Sequence, residues 1–105
     1  MPSGAVRLGS SSQLPAGQGA TYSDPSDGQP DIVVRLPNGT LAAHSAVCTH
    51  AGCTVDYQGG TQIVCPCHGG LYNAATGAVE GGPPPQGLAP RKVIERGGAI
   101  YALRS

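Results

Sequence analysis

The chain has 105 residues, with six Lys and Arg set against six Asp and Glu and a formal net charge of zero, which is enough for one small domain over residues 1–105. There is no basic patch to hold nucleic acid and no block of like charge to form a tail, and no stretch approaches the roughly 20 apolar residues of a membrane span. Phe and Trp are absent, so the core must come from Val, Ile, Leu, Ala and the four Tyr, a thin supply that small domains supplement with a metal centre or a disulfide.

Glycine (17) and proline (10) are abundant, but they alternate with short apolar runs, a pattern of many short strands joined by tight turns. Residues 1–12 contain no apolar segment of the signal-peptide kind. Residues 5–8 predict a first short strand, residues 9–13 a polar loop, and residues 14–19 a turn-rich link into a strand at 20–22. Residues 23–30, rich in Asp, Ser, Gly and Pro, predict an exposed loop. Ile32, Val33, Val34 and Leu36 predict a firm strand over 31–36, and Asn38-Gly39 the hairpin turn after it. Asn38-Gly39-Thr40 also fits a glycosylation sequon, which the turn explains equally well. Residues 41–47 form the return strand. His44 lies in it, expected at the surface or half-buried.

That strand leads into Cys48-Thr49-His50-Ala51-Gly52-Cys53. A hairpin of residues 54–57 and 61–64 follows, and then Cys65-Pro66-Cys67-His68-Gly69-Gly70-Leu71-Tyr72. All four cysteines and two of the three histidines of the chain lie in these two boxes. A two-iron, two-sulfide cluster takes four protein ligands. Two neutral imidazoles on one iron leave it more positive than two thiolates would, which raises the reduction potential into a range of about −150 to +300 mV. Tetrahedral zinc also accepts two Cys and two His, and a secreted domain could instead pair its four cysteines as two disulfides. Zinc leaves two cysteines over, and the disulfides leave His50 and His68 without a purpose. Beyond the boxes, residues 74–77 predict a turn, 78–79 a short strand, and 81–90 a stiff, extended loop, since proline holds its own φ. Residues 91–95 and 99–103 form a last hairpin around Gly97-Gly98. The sum is an all-β domain of eight to ten short strands, with no helix and no internal repeat.

The two boxes closely resemble the Rieske family, whose pattern is Cys-x-His-x-Gly-Cys followed by Cys-x-Cys-His-Gly-Ser/Gly. The resemblance implies an antiparallel β-sandwich with a cluster-binding subdomain at one tip, here approximately residues 46–86. It implies a [2Fe–2S] cluster held by Cys48, His50, Cys65 and His68, and a disulfide between Cys53 and Cys67. Those two extra cysteines are typical of the branch found in cytochrome bc complexes. Gly81-Gly82-Pro83-Pro84-Pro85 falls where the family has a loop over the third side of the cluster. Tyr72 stands where the family has a tyrosine whose hydroxyl bonds the first ligand thiolate. The high-potential members carry Ser after His-Gly, where this chain has Gly70, so one hydrogen bond to a bridging sulfide is missing.

The implied function is one-electron transfer, with a redox partner protein, and in bc-type relatives quinol, meeting the His50/His68 edge. A quinol-oxidising domain, an independent carrier and a structural metal module without redox role stand as alternatives. No paired carboxylates, Ser-His arrangement or phosphate loop points to chemistry on an organic substrate. A disulfide would indicate an oxidising, extracytoplasmic compartment.

Overall fold

The computed structural model describes residues 5–48, 53–57, 59–67, 69–82 and 86–103. Among the described residues there are eleven strands: β1 (Val6–Ser10), β2 (Gln18–Ser23), β3 (Pro30–Arg35), β4 (Leu41–Ser45), β5 (Asp56–Tyr57), β6 (Gln62–Cys65), β7 (Gly70–Asn73), β8 (Val79–Gly81), β9 (Pro90–Arg91), β10 (Val93–Arg96) and β11 (Ala99–Ala102). They form three antiparallel sheets, ordered β1-β11-β10, β2-β3-β4-β9 and β5-β6-β7-β8.

The second sheet is the middle layer, and β3 shows why. Successive side chains of a strand point to opposite faces. Val33 packs with Leu14, Ala43 and Ile100, towards the first sheet. Ile32 and Val34 pack with Val55, Ile63, Tyr72 and Leu88, towards the third. An unbroken Ile-Val-Val run therefore suits a strand buried on both faces. Each such side chain contributes about 1.5–3 kcal/mol when fully buried. Residues 46–86 include the whole third sheet, which rests on the middle one through this second cluster.

The differences from the sequence reading are local. Residues 11–13 make a single 3-10 turn rather than a loop. Residues 81–90 are not loop throughout, because Pro90 and Arg91 pair with His44 and Ala43. A proline fits there because β9 is an edge strand, with no ladder partner on its outer side. The return strand ends at Ser45, and Val47 continues alone in a bridge to Thr54. The strand number exceeds ten because β5 and β9 are two-residue pieces. His44 is buried, at 3% exposure, not at the surface, since the third sheet covers β4 at that point.

Residues 23–30 are not wholly exposed either. Asp24 is buried and lies beside Asp31, which is fully buried. Arg91 Nε sits 3.0 Å from Asp24 Oδ2 and 3.2 Å from Asp31 Oδ1. This is a carboxylate pair that the sequence did not disclose, because six residues and a turn separate the two. One guanidinium cannot neutralise two buried carboxylates, so one of the pair holds its proton above the ordinary carboxylate range. Burial, and then the neighbouring Asp24, push Asp31 up to about 7. The hydrogen bond from Asp31 holds Asp24 below its ordinary value. A carboxyl raised in the folded state stabilises the fold below the unfolded value of 3.8 and loses that contribution as pH rises towards 7. Asp31→Asn keeps a permanent donor towards Asp24. It is expected to abolish the decline in stability between about pH 4 and 7 and to exceed the parent above pH 7 by about 1–2 kcal/mol. Urea titrations at a series of pH values check this, and an unchanged slope would contradict it.

Candidate metal centre

Both cysteine boxes are hairpin tips. In the first, the Val47–Thr54 bridge is flanked by hydrogen bonds from Cys48 N to Cys53 O and from Val55 N to Ala46 O, each 2.8 Å. Cys48 and Cys53 thus face each other at the base of the tip. In the second, Cys65 pairs with Gly70 where β6 meets β7, and Gly69 N donates to Cys65 O at 3.0 Å. Cys65 stands at that base.

The two bases share one buried cluster. Cys48 is 3% and Cys65 1% exposed, packed with Val55, Ile63 and Tyr72. Cys53 and Cys67 are joined in a disulfide, with Cα atoms 6.4 Å apart and a sequence separation of 14. It links one tip to the other and leaves Cys48 and Cys65 as the two thiols outside it. Tyr72 is completely buried, and its hydroxyl lies 3.4 Å from Cys48 Sγ. A thiolate at Cys48 can only accept, so the phenol donates.

A third segment closes on the second tip. Gly82 has φ +83°, and a Cβ there would lie 2.8 Å from Gly70 Cα and 3.2 Å from Gly69 O and Gly70 N. Those neighbours are backbone atoms, so no flexible side chain can yield. Gly82→Ala adds this clash to a left-handed backbone that costs about 1–3 kcal/mol for a side chain. The expected result is a loss of about 2 kcal/mol or more in stability and a lower iron content per chain. Thermal unfolding and metal analysis measure both, and a variant with the parent's iron content would contradict the second.

Cys48, Cys65, Cys53, Cys67, Gly70 and Tyr72 are therefore brought into one region. His50, His68 and Pro83 lie outside the described residues. The donor chemistry fits a [2Fe–2S] group: two buried thiols, Cys48 within 3.4 Å of a hydroxyl donor, stand at the foot of two cross-linked boxes. The sequence reading missed the ring of His44, whose Nε2 lies 2.8 Å from Ala74 O. Its partner is a backbone carbonyl, so no signal in the sequence pointed to this bond.

Comparison with known proteins agrees. The Rieske [2Fe-2S] domain model matches residues 4–95. The cytochrome b6-f complex iron-sulfur subunit of Chlorobaculum tepidum is 37% identical over 100 residues, covering 93% of this chain and 53% of that protein. The chain spans about half the length of the curated relatives it matches first. The ferredoxin of carbazole 1,9a-dioxygenase from Nocardioides aromaticivorans superposes with a TM-score of 0.83 at 27% identity, over 98% of this chain and 100% of that one. The cyanobacterial plasma membrane Rieske protein of Synechocystis gives 0.79 at 32% identity, over 92% and 97%. Among the described residues no helix is long and apolar enough to cross a membrane. With its paired hairpin tips, buried thiols and matching family model, the chain belongs to the Rieske [2Fe-2S] family of electron-transfer domains, whose cofactor is a [2Fe–2S] cluster.

Proposed function

We propose that the domain passes single electrons between two protein partners, with Cys48 and Cys65 binding the inner iron of the cluster and His50 and His68 the outer one. The cluster, when bound, supplies a one-electron couple. The chain's residues supply its environment. The disulfide holds the two tips at a fixed spacing, Tyr72 donates to the Cys48 sulfur, and the packed core around Ile63 and Val55 keeps water from the thiolates. The observation that carries this reading is the pair of buried thiols, Cys48 and Cys65, at the feet of two tips cross-linked by the remaining cysteines.

Charge supports a neutral docking edge at His50 and His68. Between Leu36 and Pro90 the chain carries only Asp56 and Glu80 as charged residues, and no Lys or Arg. The rest of its charge lies outside that stretch, so a partner would meet the tip through apolar and backbone contacts.

A second reading is a domain of a quinol-oxidising complex, with quinol at the same edge and the chain on the extracytoplasmic side. The likeness to the cytochrome b6-f subunit and the disulfide favour it. Gly70 counts against it, since it removes a hydrogen bond that raises potential. The test of the primary reading is metal analysis with an EPR spectrum of the reduced protein. Iron with a signal of mixed His/Cys ligation is expected. A colourless, zinc-containing protein would overturn the proposal.

A further inference from the structure

His44 is not one of the proposed ligands, yet its surroundings are built as carefully as theirs. It lies in β4, buried to 3% exposure. Its Nε2 is 2.8 Å from the carbonyl oxygen of Ala74, 30 residues away in sequence. A carbonyl only accepts, so Nε2 carries the hydrogen and donates, and Nδ1 is left bare. Nδ1 has no hydrogen-bond partner among the described residues. It faces Gly77, where a Cβ would lie 2.9 Å from Nδ1 and 3.0 Å from Leu88 O. The ring is thus held by a donated bond on one side and packed against a bare backbone on the other. Burial lowers its pKa, and the bond to Ala74 partly opposes that shift. A buried nitrogen without a partner is destabilising, a penalty that an apolar residue of similar size would avoid.

The bond to Ala74 offsets that penalty and places a constraint. Two cross-ties join the leg of chain running from His44 to Cys48 to the leg running from Tyr72 to Ala74. One is His44 Nε2 to Ala74 O at 2.8 Å, and the other is Tyr72 Oη to Cys48 Sγ at 3.4 Å. They are four residues apart on the first leg and two apart on the second. The oxygen–sulfur contact joins β7 to the first leg, so a slip of β7 changes its length and direction. We infer that His44 is a positioning residue for the metal centre: by fixing Ala74 it fixes β7, and through β7 it sets the Tyr72–Cys48 hydrogen bond and hence the cluster's reduction potential. This inference rests on the proposed cluster. A hydrogen bond to a ligand sulfur stabilises the more negative, reduced state, so losing the outer tie lowers the potential.

The experiment compares midpoint potential and thermal midpoint in the cluster-loaded parent and its variants. His44→Leu and His44→Asn remove the donor from the place of Nε2, and both are expected to lower the potential in the same direction as Tyr72→Phe. His44→Gln carries an amide nitrogen at that place and is expected to restore the parent's potential. His44→Asn added to Tyr72→Phe is expected to lower it no further than Tyr72→Phe alone, since both act on one bond. If His44→Leu does not fold, the Asn and Gln variants decide. A lower thermal midpoint with the potential unmoved overturns the inference and leaves His44 a packing residue. A fall that adds to that of Tyr72→Phe overturns it as well. A parent without the mixed-ligand EPR signal overturns the cluster reading and this inference together, whereas a parent with the signal and an unmoved potential overturns this inference alone.

Discussion

Replacing Cys53 and Cys67 together by serine is expected to lower the stability of the domain by about 3 kcal/mol and to release the cluster. The disulfide spans 14 residues, and closing a ring of that size removes about 3 kcal/mol of chain entropy from the unfolded state. That is a large share of the roughly 5–15 kcal/mol that holds a domain of this kind together, and the core has no Phe or Trp to make it up. The second effect is local. Cys53 lies at the base of the first tip and Cys67 within the second, so without the bond the tips are joined only through the core beneath them. Cys67 is exposed as a residue, and reduction of the parent by a thiol is expected to reproduce the variant. Denaturant midpoints and iron retained after gel filtration measure the two effects. A variant that holds its iron as firmly as the parent would show that the core alone spaces the tips.

Gly70→Ser is expected to raise the midpoint potential by about 40 mV. Gly70 opens β7 opposite Cys65 and is buried. It is not among the glycines with positive φ, so serine meets no backbone penalty there. A hydroxyl at this position can donate to the cluster. A hydrogen bond to a charged acceptor contributes about 1.5–3 kcal/mol, and only the difference between the two oxidation states moves the potential. If that difference is roughly 1 kcal/mol, a one-electron couple at 59 mV per tenfold shifts by about 40 mV. The same reasoning places the parent below those quinol-oxidising relatives that carry serine. Potentiometric titration of parent and variant measures both. A parent level with those relatives, or a variant that does not rise, would show that another donor already serves that sulfur.

The paired Cys and His boxes, the strand over Ile32 to Leu36 and the turn at Asn38-Gly39 were legible in the sequence because each depends on neighbours a few residues away. Ligand spacing, the apolar run and turn chemistry are local properties. Even the family follows from such short-range signals, since the boxes carry it almost alone. What the sequence could not supply was which distant residues meet. Asp24, Asp31 and Arg91 lie on a turn and two strands, and only the pairing of β2, β3, β4 and β9 into one sheet makes them a buried, ion-paired cluster. Pro90 reads as loop until β4 offers it an edge. Gly82 reads as part of a proline-rich linker until its contact with Gly70 shows why no side chain fits. His44 reads as an ordinary strand histidine because its partner, the Ala74 carbonyl, is a backbone group that leaves no mark in the sequence. Local chemistry thus determined the elements and the metal-binding character of the chain, and tertiary packing decided how the elements are layered and which polar groups had to be paired once water was excluded.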